Sequence, residues 1–272
     1  MRYHSASPRL DLRSALCRGS ARYEAAKAFN TLRKAYGLEP IGGRGAHEIF
    51  TRGTRTLYLD IPELYDLGPL SPTETYIGPV NWEPDIPLPS WWDALPDHKP
   101  VIFLSPGSSG DAVATLALIR ALASLDLTLV VATAGRIAPA NLPSSVFAAE
   151  WIPGLAAAQR ADLVICNGGS PMVYLALGKG KPVLGIPQNH DQYYMMEALE
   201  RKGAGKLIRS GRVDAVTVRK AVLEILGNPA FRQAAQRLQG FISSLNTNAA
   251  FTSVLETLIP MRDAQLKPGG RP

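Results

Sequence analysis

The sequence predicts an α/β protein built on a doubly wound parallel sheet and preceded by an incomplete second domain. After residue 98, apolar β-type runs recur with helix-like segments between most of them, and such alternation builds a parallel sheet with helices on both faces. A proline-dense stretch at about 80–98 separates this region from an N-terminal part with much less alternation.

The chain has 272 residues, 46% of them apolar and 19% charged. That suits one large or two modest folded domains and argues against bulk disorder. Before the proline-dense stretch, Ala21 to Tyr36 has helical character and stops at Gly37, while RTLYLD and ETYIGPV read as short strands. These are too few elements for a complete sheet domain, so residues 1–80 are expected to be a remnant of one. Residues 81–98 are expected to be an interdomain linker, because proline fixes the backbone and withholds hydrogen-bond donors.

The strands expected beyond it are VIFLS (101–105), LTLVVAT (127–133), VFAAEW (146–151), ADLVICN (161–167) and PVLGIP (182–187). Asp111 to Ser124 is apolar except at Asp111, Thr115, Arg120 and Ser124, as for a helix lying against a sheet. Asp214 to Leu226 places Val218, Val222, Ile225 and Leu226 on one helical face. Helices from about Pro229 to Leu245 and Ala249 to Leu258 would close a domain over 99–260, with 261–272 as a flexible tail.

Cys17 and Cys166 are far apart and lack metal-ligand spacing, which fits a reducing compartment. The N-terminal residues contain no apolar signal-like run, and no apolar run approaches a membrane span of about 20 residues. The expectation is a cytoplasmic protein without a membrane span. The formal charge of +6 is spread thinly, so it reads as solvated positive surface, with attraction of an anionic substrate as a second contribution and no nucleic-acid partner.

Ligands of open parallel sheets bind beyond the carboxyl ends of the strands, and three loops there stand out. Ser105-Pro-Gly-Ser-Ser-Gly110 precedes a helix; its glycines and serines fit a phosphate, and fit an ordinary strand-to-helix turn as well. It lacks the dinucleotide pattern Gly-x-Gly-x-x-Gly, which disfavours a nicotinamide-dependent enzyme. Asn167-Gly-Gly-Ser170 is followed by a helix from about Pro171 to Lys179, a turn whose amides suit a diphosphate. In the third, Asp191 and Gln192 stand side by side and could bind adjacent hydroxyls. Taken singly, Asp191 reads as the cap of a helix from Gln192 to Lys202.

In order and spacing, the run WIPGLAAAQRADLVICNGGSPMVYLALGKGKPVLGIPQNHDQ resembles the donor-binding signature of nucleotide-sugar-dependent glycosyltransferases of the GT-B fold, which include the UDP-glycosyltransferases and the macrolide and natural-product glycosyltransferases. The resemblance covers most of 98–210 and implies a Rossmann-like C-terminal domain. It further implies that Trp151 stacks on a nucleobase and that Asn167, Gly168, Gly169 and Ser170 hold a diphosphate. Asp191 and Gln192 would hold the transferred sugar, with Gly107 and Ser108 beside the phosphates.

The chain departs from the family pattern at Asn167, where histidine is usual, and at Met172, where serine or threonine is usual. Leu175 replaces an acidic residue for the ribose, and Gly154 stands where glutamine is frequent.

The implied reaction is transfer of a hexose-type sugar, with inversion, from a UDP- or dTDP-sugar to a small-molecule acceptor. Neither a metal nor a separate cofactor is implied. The family's catalytic histidine has no match, since His4 and His47 lie in other contexts, so the catalytic residues stay unassigned. This chain alone is therefore expected to bind donor better than it transfers sugar, and a separate acceptor-domain subunit is one partner to consider. Two alternatives stand beside this reading: a non-catalytic nucleotide-sugar-binding subunit of a split enzyme, and a sugar-nucleotide epimerase or hydrolase, for which 98–210 offers no carboxylate and histidine constellation.

Overall fold

The computed structural model describes residues 27–41, 53–65, 68–107, 112–138 and 142–258. The chain divides into two compact units, Met1–Leu57 with Pro69–Thr75, and Tyr58–Gly68 with Tyr76–Pro272.

In the first unit, residues 27–35 form helix α1. It ends as the sequence predicts at Gly37, whose φ of +65° lets the Leu38 N–H donate back to the Arg33 carbonyl at 2.9 Å. A left-handed residue closing a helix in this way satisfies carbonyls that would otherwise lack partners. The part of this helix expected over 21–26 lies outside the described residues. The two short strands predicted upstream are β1 (Thr56–Tyr58) and β2 (Glu74–Tyr76), which pair as a two-stranded sheet.

The second unit contains a six-stranded sheet of β3 (Val101–Ser105), β4 (Thr128–Ala132), β5 (Val146–Ala149), β6 (Leu163–Cys166), β7 (Val183–Gly185) and β8 (Gly205–Leu207). Its order is β5-β4-β3-β6-β7-β8, and every neighbouring pair is parallel. The chain thus winds outward from β3 in one direction and from β6 in the other, which puts the topological switch between β3 and β6.

The side-chain period of two sorts each strand between two cores. Val101 and Phe103 of β3 face one cluster, and Ile102 and Leu104 face the other. The first core receives Ala157 from α3 (Gly154–Arg160), Tyr174 from α4 (Ser170–Gly178), Met195 from α5 (His190–Arg201) and Leu238 from α7 (Pro229–Ser244). The second receives Ile119 from α2 (Ala112–Leu122) and Val222 from α6 (Ala215–Gly227). The last described element is α8 (Thr247–Leu258). The doubly wound parallel sheet expected from the sequence is the observed architecture.

Two elements were not anticipated. β8 contains Gly205, whose bare backbone runs against β7: a Cβ there would lie 2.3 Å from the Val183 carbonyl oxygen. Helix α3 has only seven residues, too few to show a periodic stripe. The proline-rich segment carries just one short turn, Trp92–Ala94, and it lies in the same compact unit as the sheet. Leu95 is buried in the first core, and the Trp91 indole N–H donates to the Ala148 carbonyl at 3.2 Å.

Candidate functional site

At the switch point, the loops leaving β3 and β6 meet. Gly107 has φ +70°, and a Cβ there would fall 2.6 Å from Asn167 Nδ2, so only glycine fits without displacing the asparagine. Asn167 Oδ1 accepts from the Gly169 N–H at 3.0 Å, which stiffens the turn. Between them, Gly168 takes φ +83°, and its missing Cβ would lie 2.5 Å from Met196 Cγ. The Cys166 sulfur accepts from the Gly168 N–H at 3.3 Å. Burial pushes the Cys166 thiol up to about 12, partly opposed by that bond, so it stays protonated and supports the turn.

Gly169 is the N-cap of α4 and provides no side-chain cap; Pro171 stands in the first turn, and that turn contains no acid. Helices α5, α6 and α7 differ. Asn189 caps α5 through the Gln192 N–H at 3.1 Å, Asp214 caps α6 through the Val216 and Thr217 N–H groups at 2.9 and 2.8 Å, and Asn228 caps α7 at 3.1 Å. The α4 N-terminus therefore retains amide hydrogens and partial positive charge directed beyond the sheet, an environment favourable to an anion. Ser170 opens this helix and is exposed.

Trp151 follows β5 with 59% of its surface exposed, and its indole N–H donates to Glu150 Oε1 at 3.1 Å. Asp191 lies exposed in the first turn of α5. It is not the cap that it would be if read singly: the helix starts at His190, and the cap is Asn189. Asp191 and Gln192 also separate in environment. Gln192 is buried, and its Oε1 accepts from the Gln188 N–H at 2.9 Å, so it holds the loop that presents Asp191. Ser108 lies outside the described residues.

An apolar cavity of about 110 Å³ opens beside these loops, with Leu104, Pro106, Leu118, Asn167 and Ile186 among its walls. Two further side chains had escaped sequence reasoning. Glu83, from the proline-rich segment, accepts from the Leu155 N–H at the start of α3 at 2.7 Å. Asp60 accepts from the Tyr174 hydroxyl at 2.7 Å. Neither had a local signal, since each acts on a residue more than 70 positions away. Among the described residues, no group of His, Cys, Asp and Glu could hold a metal ion, and no helix is long and apolar enough to cross a membrane.

Residues 116–258, just over half of the chain, match the family described as "Erythromycin biosynthesis protein CIII-like, C-terminal domain". The chain belongs to this family. A "PGL/p-HBAD biosynthesis glycosyltransferase" of Mycobacterium tuberculosis is 46% identical over 209 residues, covering 77% of this chain and 49% of the relative. A "PGL/p-HBAD biosynthesis rhamnosyltransferase" of Mycobacterium bovis is 42% identical over 209 residues, covering 77% of this chain and 46% of the relative. The chain thus spans about half the length of these curated relatives. The structure of "Spinosyn Rhamnosyltransferase SpnG complexed with thymidine diphosphate" shares the fold, with a TM-score of 0.68 at 22% identity over 84% of this chain and 60% of that one. As a member of the EryCIII-like family, the chain carries the doubly wound C-terminal domain of a GT-B glycosyltransferase.

Proposed function

We propose that this chain binds a nucleoside diphosphate sugar, with a uridine or thymidine base, and serves as the donor-binding half of an enzyme that transfers a hexose-type sugar to a small-molecule acceptor. The observation that carries this reading is the uncapped α4 N-terminus at the β3/β6 switch. Family membership adds to it.

In this reading, the base stacks on Trp151 and the diphosphate lies on the Asn167–Ser170 turn with Gly107 alongside. The sugar extends toward Asp191, presented by Gln192. An acceptor oxygen attacks the anomeric carbon opposite the diphosphate; the new C–O bond forms as the bond to the phosphate oxygen breaks. The acceptor proton passes to a base outside the candidate site, and configuration inverts. Negative charge develops on the leaving diphosphate, where the fixed amides of α4 stabilise it.

Titration of the purified chain with uridine and thymidine diphosphate sugars tests the reading. Saturable binding of one of them is expected, and failure of both to bind overturns it.

A further inference from the structure

Three parts of the chain converge beside Gly154. A Cβ placed on that glycine would lie 3.0 Å from Leu175 Cδ1, 3.6 Å from Glu83 Oε2 and 3.7 Å from Met172 Cε. The absence of a side chain at buried Gly154 therefore lets Leu175, Met172 and the Glu83 carboxylate pack against its bare backbone. Gly154 lies three residues after Trp151, and Met172 three residues after Gly169, so the Glu83 carboxylate beside them stands between the exposed indole and the α4 N-terminus.

We propose that Glu83 is the acceptor for the pentose hydroxyls of the bound nucleotide, supplied by the proline-rich segment. This rests on the donor-site reading above. A nucleotide with its base on Trp151 and its diphosphate on α4 must lay its pentose over the intervening surface. Pentose hydroxyls are donors that need acceptors, and Met172 and Leu175 provide none.

A carboxylate has two oxygens and about four lone-pair sites. Glu83 Oε2 takes the Leu155 N–H, which fixes the group in place. Among the described residues, Glu83 forms no ion pair, and its Oε1 accepts no hydrogen bond. Because Oε2 already holds a first-turn amide of α3, the remaining capacity of this carboxylate is that of an O–H acceptor rather than an anion site. The geometry also makes nucleotide recognition depend on how the proline-rich segment packs.

The test compares thymidine diphosphate with 2′,3′-dideoxythymidine diphosphate on the parent chain, Glu83→Gln and Glu83→Ala. The amide in Glu83→Gln still accepts from Leu155 N–H, so the segment stays tethered while the charge is lost. The parent should prefer the hydroxylated nucleotide by about tenfold, the size of one hydrogen bond to a charged group. Glu83→Gln and Glu83→Ala should lose most of that preference, with little change in affinity for the dideoxy form, and Glu83→Gln should keep the parental thermal midpoint.

An undiminished preference in Glu83→Gln would overturn the proposal. If Trp151→Ala still weakened both nucleotides, Glu83 would be a tether and the donor site would stand. If only uridine diphosphate bound the parent, the same comparison would run with 2′,3′-dideoxyuridine diphosphate; if neither thymidine nor uridine diphosphate bound, the donor-site reading would fall and the proposal with it.

Discussion

Gly107 and Asn167 stand so close at the turning point of the sheet that a Cβ on the glycine would fall 2.6 Å from the asparagine Nδ2. They come from loops 60 positions apart, brought together because β3 and β6 are neighbours. Gly107→Ala should therefore strain the backbone at φ +70° and displace Asn167. A left-handed non-glycine residue costs about 1–3 kcal/mol, which denaturant unfolding would report. Diphosphate affinity should fall in the same variant. Unchanged stability and affinity would show that the loops separate freely.

Asn167 has two tasks on two different atoms. Its Oδ1 accepts from Gly169, so the residue shapes the turn, and in the proposed complex its Nδ2 donates to phosphate. Asn167→Leu should lower diphosphate affinity by about tenfold, the scale of one charge-assisted hydrogen bond, without unfolding the protein. Asn167→His retains an acceptor for Gly169 and a ring N–H donor, so it should keep or improve affinity. Equal affinity for diphosphate in the parent and both variants, measured by calorimetry, would remove Asn167 from the phosphate site.

The Asp60–Tyr174 pair makes stability depend on pH. Burial raises the Asp60 carboxyl above its ordinary value of 3.8, and the Tyr174 hydrogen bond offsets part of that rise. The folded state therefore holds this proton more tightly than the unfolded chain. The stability linked to it is fully present below pH 3.8 and is lost as pH rises through the raised value. Asp60→Asn keeps an acceptor for Tyr174 and never becomes charged. Its stability relative to the parent should increase as pH rises through that window and converge with the parent below it. Urea unfolding of both proteins across pH checks this, and a difference that grows on acidification would contradict it. Tyr174→Phe should destabilise by about 1 kcal/mol, because the half-buried Asp60 carboxyl loses its partner.

Sugar transfer by the chain alone should be much slower than transfer with an acceptor-binding domain supplied in trans. No base is assigned within the donor site, and a positioned base together with proximity accounts for many powers of ten in rate. Steady-state transfer assays with and without the added domain test this, and equal, rapid turnover would contradict it.

Much of the sheet was legible because its strands are continuous apolar runs such as ADLVICN, ended by glycine-rich loops. The strand ends shifted by one or two residues where polar neighbours continue the extended backbone: VFAAEW ends as a strand at Ala149. β8 was not legible because pairing with β7, through Gly205, makes it a strand, and pairing leaves little trace in three residues. At the candidate site, motif spacing pointed to the three loops, yet Asn189 rather than Asp191 caps α5. Glu83 could not be read from the sequence at all. Its meaning comes from a contact 72 positions away, which exists only once the proline-rich segment has packed beside α3.

Calorimetric titration of the parent, Trp151→Ala and Asp191→Ala with uridine and thymidine diphosphate sugars tests the central claim most directly. Trp151 has 59% of its surface exposed, and Asp191 is exposed too, so neither truncation removes core packing and all three proteins should unfold at similar temperatures. Stacking on one aromatic ring is worth about 1–3 kcal/mol, so Trp151→Ala should weaken the sugar nucleotide and the free diphosphate alike, by about tenfold or more. Asp191→Ala should weaken the sugar nucleotide while leaving the free nucleoside diphosphate nearly unchanged, because its contact is with the sugar. Parental affinity in both folded variants would contradict the donor site described above.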